Sequence, residues 1–173
     1  TFSLKKGVMK LNGIKITWLG HATFRIQTPK GKIVLIDPWV MNNPACPDGE
    51  KQLEKLNIML ITHGHGDHIG DAVEIAKKHT PKIVGIPELC GWLKKKGCKE
   101  LLEMNKGGTQ QVDDIRVTMV HADHSCGILD GDGVTQRVHG RTVRQRGVPV
   151  ERRIVPVERR TVPVRQRPVP VRD

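Results

Sequence analysis

An α/β fold is the class this sequence predicts, and three observations carry the prediction. Short apolar runs alternate around glycines up to residue 37. From residue 57 strand-like runs alternate with segments of helical spacing. Histidines and carboxylates collect where those runs end.

Taken in order, Ile14 to Leu19 and Thr23 to Gln27 read as strands around a glycine turn, and Lys32 to Asp37, bounded by Gly31 and Pro38, as a third. These form an N-terminal β-meander. Pro44, Pro47 and Gly49 make 40–50 a loop, followed by a helical turn over 51–56 and a strand from Asn57 to Thr62. Between His68 and His79, the residues Ile69, Ala72, Val73, Ile75 and Ala76 recur at helical spacing, with Asp71 in the first turn and Lys77 and Lys78 in the last. A strand over Lys82 to Ile86 precedes a helix over Pro87 to Lys96, which Pro87 opens and Gly97 stops. Leu101 to Met104 is a short strand, Gly107-Gly108 a turn, and Ile115 to Val120 a strand that delivers His121 and His124 at its carboxyl end.

The segment Thr62-His63-Gly64-His65-Gly66-Asp67-His68 carries the chemistry. Imidazoles at i and i+2 leaving a strand can point the same way, and the glycines let the backbone turn so that Asp67 and His68 reach a second position. Two neighbouring cations can then share one loop; the alternative is a His-rich surface loop. Nitrogen and carboxylate donors suit Zn2+, with Mn2+ or Fe2+ as looser fits, and a dinuclear site of this kind activates water for hydrolysis.

The order His-x-His-x-Asp-His resembles the signature of the metallo-β-lactamase superfamily. Gly20-His21-Ala22-Thr23, Ile36-Asp37-Pro38 and Ala122-Asp123-His124-Ser125 resemble one branch of it, the metal-dependent hydrolases related to L-ascorbate-6-phosphate lactonase. The likeness runs from about Met9 to about Gly133. It implies an αβ/βα sandwich, of which this chain would form the N-terminal half. It also implies that His63, His65 and His124 hold a first metal and that Asp67 and His68 belong to a second. Asp67 would in addition orient the nucleophile or accept a proton. His21 would line the pocket and contact substrate or support a ligand, the alternative being a histidine that closes a turn. Asp37 would support the histidine loop as a hydrogen-bond partner or simply cap its strand, and His121 stands in reserve behind His124. The implied reaction is attack of a metal-activated hydroxide on a small ester, lactone or phosphodiester. Family members continue with a second half that supplies a bridging aspartate and a last histidine. Neither has a convincing counterpart here, since Asp132 follows His124 by only eight residues. A half-sandwich would expose an apolar sheet face and favour self-association.

Of the net charge of +11, residues 1–136 carry +3 (16 Lys and 2 Arg against 15 acids) and 137–173 carry +8 (11 Arg against 3 acids). The first part therefore has no nucleic-acid footprint, whereas the Arg-rich tail offers one. In the tail, proline recurs at 149, 156, 163 and 170, a seven-residue period that forbids a long helix and weakens any central strand, so an extended or disordered segment is expected. Every lysine precedes residue 136 and only arginine follows it, which points to two coding histories, with a body cut short and joined to an unrelated tail. The expected organisation is a leader over 1–8, a hydrolase-like body over 9–136 and a tail over 137–173.

Cys46, Cys90, Cys98 and Cys126 form no CxxC pair and no disulfide framework, which suits a reducing cytoplasm. Cys126 reads as a structural thiol, although it lies two residues from His124. No apolar run approaches the roughly 18 residues of a membrane span. The sequence thus predicts a metal-dependent hydrolase of a small-molecule substrate. Its rival, from another class, is a non-catalytic protein that binds nucleic acid or an acidic surface through the tail.

Overall fold

The computed structural model describes residues 7–130, and beyond them only the backbone of 133–135, 137–138 and 141–142. The expected tail and Asp132 otherwise lie outside the described residues, as does the nucleic-acid contact through the tail that the rival reading needs.

Seven strands form one sheet whose spatial order is also the order of the chain: β1 (Val8–Leu11), β2 (Ile14–Trp18), β3 (Phe24–Gln27), β4 (Ile33–Ile36), β5 (Ile58–Leu60), β6 (Lys82–Gly85) and β7 (Leu101–Glu103). The first four pair antiparallel and β4 to β7 pair parallel. β1 falls partly within the expected leader. Its turn has Asn12 at φ +47° and Gly13 at φ +79°, the left-handed pair that a two-residue hairpin needs and that Asn-Gly supplies.

Side-chain alternation splits the core in two. Leu35, Met59 and Ile83 face the helices α1 (Gly66–Ile69), α2 (Ala72–His79) and α3 (Pro87–Lys95), where they pack with Ile69, Ile75, Leu89 and Leu93. Their strand neighbours Val34, Ile58 and Val84 face the other way, into Val112, Ile115 and Val117 of the hairpin β8 (Thr109–Val112) and β9 (Ile115–Thr118). The face expected to stand open is therefore buried at Val34, Ile58 and Val84, with Ile26, Leu60 and Leu102 half-buried.

Besides β1, which the sequence reading did not expect, the structure differs from it at three elements. The helix expected over His68 to His79 is two helices, because Gly70 and Asp71 interrupt it: the Asp71 N–H donates to Pro38 O (2.9 Å) and its carboxylate accepts from the N–H groups of Val40 (2.5 Å) and Met41 (2.7 Å). This buried clip ties the helix pair to the loop after β4. The turn expected at 51–56 is a single 3-10 turn at Asp48–Glu50. β8 was not expected, because Thr109-Gln110-Gln111-Val112 offers one apolar residue in four.

Register explains where the site forms. Trp18, Phe24, Ile36, Leu60, Val84 and Leu102 lie on one row across the sheet. The chain leaves that row at the His21 turn, at Asp37 and at His63, so segments far apart in sequence meet at the carboxyl ends of the parallel strands, where open α/β sheets place their ligands.

Candidate metal centre

Two groups of three donors stand on this rim. Ligand atoms of His63, His65 and His124 lie within 4.8 Å of one another, as do those of His21, Asp67 and His68. The first group runs from buried His63 to half-buried His65 to exposed His124, whereas the second has exposed His21 and Asp67 beside half-buried His68. The groups abut through His63 and His68, whose ring centroids are 3.9 Å apart.

A buried network sets the rings. Asp37, 1% exposed, accepts from the Thr62 N–H (2.8 Å), the Thr62 hydroxyl (2.8 Å) and His68 Nδ1 (2.8 Å). With its proton committed to Asp37, the Thr62 hydroxyl accepts from His63 Nδ1 (2.9 Å). Both imidazoles are thereby held with Nε2 turned to the rim. His63 Nε2 meets His65 Nδ1 at 3.1 Å, and His68 Nε2 meets His21 Nε2 at 3.3 Å. His65 Nε2 lies 3.3 Å from Ser125 Oγ. The Asp37 carboxylate thus reaches both groups, one directly and one through Thr62.

His21 reaches the second group from a turn with little freedom. Its φ is +49°, and Asp37 sits at +48°, both in the left-handed region that non-glycine residues enter at a cost. Buried Asn43 holds the turn by donating to the carbonyls of Leu19 and Gly20 and to that of Trp39. The Trp18 indole N–H donates to His21 O (2.9 Å). His21 Nε2 lies 3.1 Å from Asp67 Oδ2.

Burial above all, then the charges of neighbouring imidazoles at His68 and His65, lowers His63 to about 4, Asp37 opposing them. His63 is a neutral donor at neutral pH. Partial burial pushes the Asp67 carboxyl up, but its own backbone N–H and the imidazoles of His68, His21 and His65 outweigh that and hold it below the ordinary carboxylate range. Imidazole nitrogens beside an ionised carboxylate form a donor set suited to a divalent cation.

The structure brings together all five residues expected to hold metal, and it places His21, expected to line the pocket or support a ligand, beside Asp67 and His68. His121 stays outside, facing Asp123 (2.9 Å) and Lys106 (3.3 Å). Half-buried Cys126 belongs to neither group, and all four cysteines are free. His79 ends α2, away from the rim. The roles of Asn43 and Thr62 escaped the sequence reading. Buried polar residues beside a candidate ligand are the signal to look for, but burial is not visible before folding. No helix among the described residues is long and apolar enough to cross a membrane.

Known proteins resemble this chain in sequence and fold. The family described as "Beta-lactamase superfamily domain" matches residues 32–151. A metal-dependent hydrolase of Koribacter versatilis is 73% identical over 126 residues, covering 73% of this chain and 54% of the relative. One from Solibacter usitatus is 49% identical over 117 residues, covering 68% and 50%. Among solved structures, Igni18, titled a novel metallo hydrolase from Ignicoccus hospitalis, superposes with a TM-score of 0.58 at 32% identity, over 65% of this chain and 50% of that one. The chain spans about half the length of the relatives it matches.

Proposed function

The chain belongs to the β-lactamase superfamily, and from that premise we propose that its rim serves hydrolysis of a small ester, lactone or phosphodiester, with His63, His65 and His124 holding one divalent cation and His21, Asp67 and His68 a second. One observation carries the reading: six nitrogen and oxygen donors from three separate segments converge in two groups, each within 4.8 Å. Three imidazoles, or two with a carboxylate, are donor sets that zinc takes in catalytic sites, so the residues fit the group. Mn2+ and Fe2+ are the alternatives.

When bound, such a cation supplies Lewis-acid polarisation of a substrate oxygen and acidifies water. The chain's own residues do the rest. Asp37 and Thr62 hold the rings of His68 and His63 in one orientation, so their nitrogens need no reorganisation on loading. Asp67, ionised and half-exposed, faces the rim and is placed to accept a proton from water or to orient it. The exposure of His21, Asp67 and His124 leaves the rim open to a small substrate.

The test is metal analysis of the whole chain with zinc added back, followed by hydrolysis of a chromogenic ester, a lactone and a phosphodiester. Zinc taken up first by the three-histidine group, with metal-dependent turnover of one substrate class, is the expected result. Zinc uptake unchanged by replacing His63 and His65 together would overturn the reading.

A further inference from the structure

We infer that Gly64 is a positioning residue whose missing side chain lets the segment Gly127–Ile128 close against the histidine loop and so carries His124 to His63 and His65. This rests on the three-histidine group being a metal site.

A Cβ at Gly64 would stand 2.4 Å from Ile128 Cγ1, 3.4 Å from Ile128 Cβ and 3.2 Å from the Gly127 carbonyl oxygen. Gly64 is not among the glycines with positive φ, so alanine could adopt its backbone conformation and the requirement is one of space. Ile128 cannot simply withdraw. It is 4% exposed and packs in the main core with the helices, where shifted side chains are forced off their preferred rotamers. The strain must then move the backbone at 127–128.

His124 lies three residues before Gly127, on a stretch where 121–125 are all exposed. Its ring meets those of His63 and His65 edge-on, at centroid distances of 4.7 and 5.0 Å. A displacement on the order of 1 Å at such a joint is enough to spoil a ligand set built to fixed geometry. None of the nearest atoms that a Cβ at Gly64 would meet belongs to His21, Asp67 or His68, so their group is expected to keep its place.

Gly66, two residues along the same loop, is the internal control. Nothing lies within 4 Å of a Cβ built there, and it is the first residue of α1.

The experiment is a Co2+ titration of the whole chain, read by ligand-field absorption, with His124→Ala and His21→Ala identifying which binding event belongs to which group. Gly64→Ala is expected to weaken the His124-dependent event by about 10-fold to 100-fold and to leave the His21-dependent event within about 2-fold. Gly66→Ala should leave both unchanged. Gly64→Ala/Ile128→Ala, which removes the atom the new methyl strikes, should restore the His124-dependent event. Unweakened binding in Gly64→Ala would overturn the inference. If Gly64→Ala alone loses its far-ultraviolet circular dichroism, the double variant decides: recovery of fold and His124-dependent binding together supports it, and failure to recover either overturns it. A wild-type chain with no His124-dependent event would instead sink the assignment of the three-histidine group.

Discussion

At one end of the parallel strands, Lys30, Lys32 and Lys82 meet Asp113 and Asp114; at the other, five histidines meet Asp37 and Asp67. In the lysine cluster every carboxylate has a cation of its own. Lys32 is 2.7 Å from Asp113 and 3.1 Å from Asp114, and Lys82 also pairs with Asp113. These bonds hold the Asp113 and Asp114 carboxyls below, and the Lys32 ammonium above, their ordinary ranges. The cluster pins the β8–β9 turn to the sheet and leaves nothing over for a ligand. On the histidine rim the same sheet gathers imidazole nitrogens nose to nose around carboxylates, with no lysine or arginine among the six donors. Charge density does not mark a site; unmatched donor capacity does.

The largest effect that separates the two ends should follow Asp37→Ala. It strands the Thr62 N–H, the Thr62 hydroxyl and His68 Nδ1, so denaturant unfolding should show a loss of about 3 kcal/mol. Zinc titration should show both groups weakened by about 10-fold to 100-fold. Loss at one group alone would break the claim that a single carboxylate serves both.

Acid should act next. His63 has a folded pKa of about 4 against an ordinary 6.5, so between those values the unfolded chain binds more protons. Its contribution is therefore complete above pH 6.5, shrinks as pH falls towards 4, and costs up to ~3 kcal/mol across that window. Urea unfolding of metal-free protein at pH 7, 5.5 and 4 measures it. Added zinc should keep the protein folded further into acid, since cation and proton compete for the same nitrogens.

His124→Ala sharpens the contrast from the other direction. An exposed residue should cost little stability, within about 0.5 kcal/mol, yet its removal should weaken zinc at the three-histidine group by at least about 100-fold. Smallest of all, Asp113→Ala should shift Tm by no more than about 2 °C, an effect that added salt erases, and should leave zinc affinity unchanged.

Much of the rim was legible because its ligands follow strands in a fixed order. Spacing alone marked His63, His65, Asp67 and His68, and the resemblance added His124 and His21. What escaped was mostly tertiary. The helix break at Gly70 depends on Asp71 finding the N–H groups of Val40 and Met41, thirty residues earlier. β8 is polar and becomes a strand by pairing with β9 over an apolar sheet face. β1 is a different matter, since Asn12-Gly13 announces its hairpin locally and was available to be read. The joining of His21 to Asp67 and His68 needs a left-handed turn and Asn43, neither of which a linear pattern displays.

Because strands that neighbour one another in the sheet are also consecutive in the chain, the sheet can be laid down in the order of translation, with few long detours to delay it. On a ribosome, His21, Asp67 and His68 would all have emerged once α1 is out, whereas the three-histidine group waits for residue 124. The more exposed pair of imidazoles and its carboxylate would thus be available to a cation first, and the nascent chain would complete its better-buried counterpart only after another fifty-six residues had been added, 124 less 68.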